Sequence, residues 1–110
     1  MAIYLLLANL TDEGRRVVKD DPDRLREINK EVEFFGVKII AQYALLGPHD
    51  FVNIVEAPSD EVMAKLSIYL SARGTLSPMT LPAMTLDSLI ATLKKKTGFE
   101  KQATDRAAVT

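Results

Sequence analysis

Residues 37–56, VKIIAQYALLGPHDFVNIVE, decide the fold because they are typical of two β-strands joined by a tight turn. Residues favoured in strands fill Val37 to Leu46 and Phe51 to Glu56. The segment between them, Gly47-Pro48-His49-Asp50, consists mainly of residues favoured in turns. Two such runs in succession predict a β-hairpin, and therefore an antiparallel sheet onto which the rest of the chain must pack.

The segment before the hairpin predicts one strand and one interrupted helix. Residues Ala2 to Asn9 are apolar on both faces, as expected of a central strand that is covered on both sides. Thr11 is a typical helix N-cap, and Asp21-Pro22 restarts or kinks the helix because proline suits the first helical position. Apolar residues then recur at helical spacing at Leu25, Ile28, Val32 and Phe35. Gly36 is expected to end this helix.

The segment after the hairpin predicts a second helix, a fourth strand and a further helix. Ser59 is the expected cap of the second helix. The inward stripe of this helix is predicted to consist of Val62, Leu66, Tyr69 and Leu70. Met79 to Met84 predicts the fourth strand, and Pro82 places it at a sheet edge because proline cannot donate a ladder hydrogen bond. Thr85 to Lys96 is typical of a short amphipathic helix.

The order of these elements predicts an α+β, ferredoxin-like βαββαβ fold with a four-stranded antiparallel sheet and an extra C-terminal helix. Right-handed crossovers place both main helices on one face of the sheet and leave the other face bare. The chain has 110 residues, which suits a single domain. Residues 1–97 are assigned to that domain and residues 98–110 to a C-terminal tail.

Composition excludes several classes of function. The net charge of −1 argues against nucleic-acid binding, which needs a basic surface. Cysteine is absent, so thiol catalysis and zinc–thiolate sites are excluded, and one histidine does not predict a metal site or a cofactor. The longest apolar run, Ile3 to Ala8, is far too short to span a membrane. No signal peptide is recognised at the N-terminus, and the expected location is the cytoplasm.

Strand alternation predicts which residues lie on the bare face. Val52 and Ile54 are purely apolar and are assigned to the helix side, which turns Phe51, Asn53 and Val55 toward the bare face. By the same argument the bare face also collects Tyr4, Leu6, Ile40, Gln42 and Thr80.

This predicted face is mainly apolar with a few polar groups, and strand spacing gives it an area on the order of 300 Å². Its composition, more than its area, favours burial against a second copy of the chain. Face-to-face packing of two sheets then leaves a semi-polar space that an unknown small molecule could fill. Tyr4, Gln42, Phe51, Asn53 and Thr80 are the predicted ligand-binding residues.

Several short motifs are distributed along most of the chain: Thr11-Asp12-Glu13-Gly14, Pro22 with Arg24-Leu25, Leu46-Gly47-Pro48-His49-Asp50, Glu56-Ala57-Pro58, Gly74 and Thr80-Leu81-Pro82-Ala83. In combination they resemble the GYD domain family, which is assigned to the dimeric α/β-barrel group. The family's Gly-Tyr-Asp has histidine in place of tyrosine here. The resemblance implies a homodimer that can associate further. Related barrels range from cofactor-free monooxygenases and isomerases to sensory domains, so the fold alone does not indicate the chemistry.

His49, Asp50 and Glu56 are the candidate catalytic residues. Histidine titrates near neutrality, and a neighbouring carboxylate can fix its tautomer, so His49 with Asp50 or Glu56 could transfer protons. Turn formation by Pro48 and Asp50 explains the same motif without catalysis. Three hypotheses therefore stay open: a small-molecule-binding dimeric barrel, a cofactor-independent monooxygenase or isomerase, and a structural oligomerisation module that uses the last helix.

Overall fold

Residues 1–98, which are the residues described by the computed structural model, contain four strands and four helices in the order β-α-α-β-β-α-β-α. The strands are β1 (Ala2–Leu10), β2 (Lys38–Ala44), β3 (Phe51–Ala57) and β4 (Leu76–Ala83). The helices are α1 (Asp12–Asp20), α2 (Arg24–Phe34), α3 (Asp60–Ala72) and α4 (Leu86–Lys94). Apart from Gly98, the predicted C-terminal tail lies outside the described residues.

The strands form one antiparallel sheet in the order β2-β3-β1-β4. This is the ferredoxin-like arrangement, so the predicted fold is confirmed. β2 and β4 are the edge strands, and β4 carries Pro78 and Pro82. None of the helices in residues 1–98 is long and apolar enough to cross a membrane.

Local sequence explains where the helices begin and end. The Thr11 hydroxyl accepts a hydrogen bond from the Gly14 amide at 3.1 Å, and the Ser59 hydroxyl accepts one from the Val62 amide at 3.3 Å. Gly36 follows α2 with φ of 78°, a left-handed conformation that glycine adopts without strain. The interrupted first helix is two helices, and the second of them starts at Arg24, two residues after Pro22.

The hydrophobic core lies between the sheet and the helices. Tyr4, Leu6 and Val55 from the two central strands pack there with Met63 and Leu66 of α3. The core therefore fixes which side chains of each strand face the helices. Even-numbered residues of β1 and odd-numbered residues of β3 do so.

This arrangement overturns the predicted assignment of the two sheet faces. Tyr4, Leu6 and Val55 belong to the core, and Asn53 is buried on the same side. The residues predicted for the bare face that lie instead on the helix side are Tyr4, Leu6, Gln42, Phe51, Asn53, Val55 and Thr80. Val52 and Ile54, which were predicted to face the helices, point away from them. The prediction was wrong because Asn53 is buried despite its polarity.

Ile40 has no paired position in the sheet, and Tyr69 differs from its predicted position. The pairing of β2 with β3 is irregular between Ile39 and Ala41, so Ile40 occupies a bulge and is 49% exposed. Tyr69 was predicted to belong to the buried stripe of α3. It is 54% exposed and makes an edge-to-face contact with Phe35 at 5.2 Å between ring centroids.

Candidate functional site

The predicted proton-transfer residues lie at opposite ends of β3. Asp50 holds the hairpin onto the first strand: its amide donates to the Ala8 carbonyl oxygen, and its carboxylate accepts from the Leu10 amide at 2.8 Å. The carboxylate is also 3.6 Å from the Arg15 guanidinium. These bonds give Asp50 the structural role that turn chemistry predicts.

His49 precedes β3 and Glu56 lies near the other end of that strand. At about 3.3 Å per residue, the five residues from 51 to 56 separate the two ends by about 17 Å. One chain therefore does not bring Glu56 to His49, and the pair cannot exchange a proton directly within a subunit. A catalytic role for His49, Asp50 and Glu56 stays a prediction.

Two of the predicted ligand-binding residues are hydrogen-bonded to α3. The Tyr4 hydroxyl donates to the Asp60 carboxylate, and the Thr80 and Ser67 hydroxyls are 2.9 Å apart. The hydrogen bond to Asp60, together with burial, raises the pKa of the Tyr4 phenol above its usual value. Both side chains therefore attach a strand to α3.

The other three predicted ligand-binding residues, Gln42, Phe51 and Asn53, do meet at one cavity. It lies between α2 and the sheet and has a volume of about 60 Å³. Most of its lining is aliphatic, from strands β1, β2, β3 and β4 and from helices α2 and α3. This cavity is not the predicted one, because the predicted space lies between the sheets of two chains and this cavity lies beneath a helix of one chain.

Three carboxamides form the polar part of this cavity. Gln42 and Asn29 exchange two hydrogen bonds of 2.8 and 2.9 Å, and the Gln42 amide also donates to Asn53 Oδ1 at 2.6 Å. The Asn53 amide in turn donates to the Leu6 carbonyl oxygen at 3.2 Å. Asn29 was not among the residues predicted for a site, although its spacing of four residues from Leu25 places it on the same side of α2 as the apolar stripe.

The opposite face of the sheet is covered by no helix among α1, α2 and α3. Strand register places there a continuous set of apolar side chains: Ile3, Leu5, Leu7, Ala41, Tyr43, Val52, Ile54, Met79, Leu81 and Ala83. We call this set the apolar sheet face. Asn9, Lys38, Glu56 and Ser77 are the polar residues that share its strand positions. The face is more apolar than the one predicted from the sequence.

Helix α4 also presents unburied apolar side chains. It follows β4 after two residues, and every one of its residues is exposed. Thr85 caps it by accepting from the Ser88 amide at 3.0 Å. Its large apolar residues are Leu86, Leu89, Ile90 and Leu93. A nine-residue helix is only marginally stable in water by itself, so α4 requires a surface to pack on.

A third group of exposed apolar side chains lies on the outer side of the helical layer. Phe34 at the end of α2 is 92% exposed, and Ile68 and Tyr69 of α3 are more than half exposed. Lys65 stands 5.9 Å from the centre of the Tyr69 ring, which adds a positive charge beside it. Exposed aromatic residues on rigid helices are typical of protein-binding surfaces.

Comparison with known proteins relates the chain to a protein family and to a curated relative. The family model described as the GYD domain matches residues 4–93. A protein of Thermus thermophilus named "Glutamine synthetase and cystathionine beta-lyase binding protein" is 44% identical over 95 residues. That alignment covers 86% of this chain and 100% of the relative. No solved structure matches the chain.

Proposed function

This chain belongs to the GYD domain family, and from that premise we propose that it is a protein-binding protein that works as a homodimer. The observation that carries the proposal is the 44% identity over the whole length of a relative named for binding two enzymes. The first candidate partners are therefore the glutamine synthetase and the cystathionine beta-lyase of the organism that produces this chain. The cytoplasmic location expected from the sequence is part of the proposal, because partners must share a compartment.

The apolar sheet face supports the homodimer. With neighbouring strands about 4.8 Å apart and about seven paired residues in each, the face covers on the order of 400 Å². A specific interface buries about 800 Å² on each partner, so the sheet alone is too small. Helix α4 follows directly from the edge strand β4 and can supply further apolar area. We propose that two copies pack sheet face against sheet face and that α4 packs on the partner copy.

Dimerisation through the sheet leaves the helical layer free for other proteins. Phe34, Ile68 and Tyr69 are exposed there, and aromatic side chains often supply a large share of the free energy of binding. We propose that this outer surface of α2 and α3 contacts the enzyme partner.

The space between the two sheets is less suited to binding a small molecule than the sequence indicated, because it lacks the predicted polar lining. Its predicted polar lining came from Gln42 and Asn53, and both side chains face the helices. The residues that would meet across the dimer interface are mainly aliphatic, and these favour dry packing over a semi-polar pocket.

Direct binding to purified enzymes tests the function. We expect immobilised glutamine synthetase or cystathionine beta-lyase to bind the wild-type protein in biolayer interferometry. Phe34→Ala should weaken that binding by about tenfold or more, which is typical of an interface aromatic residue. Leu46→Ala is the matched control, because Leu46 is also fully exposed but lies in the β2–β3 loop, at the far end of β2 from Phe34. Failure of both enzymes to bind the wild-type protein would overturn the proposal.

A further inference from the structure

We propose that the cavity beneath α2 binds a small, uncharged, mainly apolar molecule that carries one hydrogen-bond acceptor, and that the side-chain amide of Asn53 donates a hydrogen bond to that acceptor. The inference does not depend on the dimer or on the enzyme partners, because every residue of the cavity belongs to one subunit. It rests on the size of the cavity, on the hydrogen-bond arrangement of its amides and on the absence of charge among its lining side chains.

The size of the cavity limits the ligand to a few heavy atoms. Its volume is about 60 Å³. Because a space of about 10–15 Å³ holds one water molecule, this cavity has room for about four to six water-sized groups. Its walls are mainly aliphatic, with Phe51 as the aromatic member. Such walls favour an apolar body over a cluster of water molecules, which would need several polar partners.

The orientation of the three carboxamides follows from the hydrogen bonds. The Leu6 carbonyl oxygen can only accept, so the Asn53 atom beside it must be the amide nitrogen. Asn53 Oδ1 then faces Gln42, which must present Nε2 to it, and the Gln42 orientation in turn fixes that of Asn29. One backbone carbonyl therefore sets the direction of the whole network.

Counting hydrogens shows a spare donor on Asn53. Each carboxamide nitrogen carries two hydrogens. Gln42 Nε2 uses both, toward Asn29 Oδ1 and Asn53 Oδ1. Asn53 Nδ2 uses one, toward Leu6, and its second hydrogen has no partner within residues 1–98. Asn53 is 7% exposed, so this hydrogen has little access to bulk solvent. A ligand acceptor at the cavity wall would remove the desolvation penalty of this unpaired donor.

The charge around the cavity argues for a neutral ligand. Within residues 1–98, no charged side chain lines the cavity. A carboxylate or an ammonium group would lose its hydration there without a counter-charge, which costs far more than one hydrogen bond returns. Arg24 and Arg73 line a smaller adjacent space, but each is already ion-paired, with Glu27 and Glu31 respectively.

The Asn29–Gln42 pair borders the cavity. Gln42 is exposed while Asn53 is buried, so the pair lies on the solvent side of the buried donor. It joins α2 to the edge strand β2 by two hydrogen bonds between side chains. Opening the pair exchanges these bonds for hydrogen bonds to water, so the cavity can fill without unfolding of the core.

Cyclopentanone is a suitable probe, because it has six heavy atoms, no charge and one carbonyl acceptor. We expect it to shift the ¹H–¹⁵N signals of the cavity residues in the full-length protein, with a downfield shift of the Asn53 side-chain amide. The dissociation constant should be on the order of 1 mM, which is ordinary for so small a ligand. Cyclopentylammonium has the same ring and should cause no saturable shift at these residues.

Two variants separate specific binding from surface effects. Ala8 lines the cavity, so Ala8→Ile adds three carbons to it and should weaken cyclopentanone binding by at least tenfold. Ala2→Ile is the matched control, since Ala2 lies on the same strand but is exposed and outside the cavity. Asn53→Leu keeps a similar volume without the donor and should also lose most of the affinity. If Asn53→Leu does not fold, the Ala8 and Ala2 variants still decide the question.

Three results would each overturn the inference. The first is the absence of saturable shifts at the cavity residues with cyclopentanone up to tens of millimolar. The second is equal cyclopentanone affinity in the Ala8→Ile and Ala2→Ile proteins. The third is equal binding of cyclopentylammonium, which would show that the site does not discriminate against charge.

Discussion

Replacing Leu5 by lysine is the sharpest test of the homodimer. Leu5 lies on the central strand β1 and points away from the helices, between Ile54 of β3 and Leu81 of β4. It is therefore at the middle of the apolar sheet face. Because Leu5 takes no part in the helix-side core, Leu5→Lys should leave the subunit folded while it places a charge inside the proposed interface.

The size of the effect follows from symmetry. Full burial of a leucine side chain contributes about 1.5–3 kcal/mol. Leu5 is already partly buried in the single subunit, so dimerisation adds only about a third of that, roughly 0.5–1 kcal/mol. Because a two-fold axis counts each residue twice, the lost apolar burial is about 1–2 kcal/mol per dimer, or about a 5- to 30-fold increase in the dimer dissociation constant, and the cost of burying the new charge adds to it.

Sedimentation equilibrium over a range of protein concentrations measures this change. Leu46→Lys is the control, because it makes the same substitution at a hairpin-loop side chain that is fully exposed. It should leave the dimer dissociation constant unchanged. Hydrogen exchange of α4 gives a second readout, since a nine-residue helix should lose its protection when the partner leaves. A wild-type protein that is monomeric at micromolar concentration, or a Leu5→Lys protein that dimerises as tightly as wild type, would refute the reasoning.

Two further predictions concern the folded subunit. A Cβ at Gly14 would overlap the Thr75 carbonyl oxygen, and the cost of this overlap is larger than the gain of about 1 kcal/mol that alanine brings to a helix. Gly14→Ala should therefore lower the free energy of unfolding, measured by urea denaturation, by about 2–4 kcal/mol. An unchanged denaturation midpoint would contradict the packing of α1 on the residue before β4. The hydrogen bond to Asp60 raises the pKa of Tyr4 in the folded protein. The Tyr4–Asp60 bond therefore stabilises the fold fully below the unfolded-state pKa of about 10, and this stabilisation is lost as pH rises through the higher folded-state pKa. The stability advantage of wild type over Tyr4→Phe should therefore shrink in alkaline denaturation experiments, and an advantage that stays constant above pH about 10 would count against the Tyr4–Asp60 bond.

The order of the elements was predictable because each one carries a strong local signal. Thr11 and Ser59 form the caps that their sequence positions predict. Pro82 lies on an edge strand for the reason deduced from its missing amide hydrogen. Such signals act within a few residues, and the sequence therefore contains them in full.

The assignment of the faces could not be predicted, because it depends on contacts distant in sequence. Alternation along β3 leaves two choices, and Val52 and Ile54 look like core residues when only their polarity is considered. The deciding contacts are those of Asn53 with Gln42 and with the Leu6 carbonyl oxygen, eleven and 47 residues away. A polar residue whose side chain both donates and accepts a hydrogen bond can be buried in a core, although its polarity alone predicts exposure.

The bulge in β2 also made the faces of β2 unpredictable from simple alternation of side chains. Ile40 takes an extra position in the strand, so Ile39 and Gln42 lie on the helix side although they differ by three in number. Simple alternation would place them on opposite faces. Gln42, Phe51 and Asn53 line one cavity because all three lie on the helix side, whereas the predicted cavity lay between two sheets.

The two edges of the sheet have a consequence for how far assembly can proceed. β4 carries prolines at positions 78 and 82, and β2 is distorted by its bulge, so neither edge offers a regular row of hydrogen-bonding groups to an incoming strand. Growth by adding strand to strand, which has no natural end, is thereby disfavoured. Pairing through the broad side of the sheet uses up that surface in both copies at once, and a complex built in this way terminates itself.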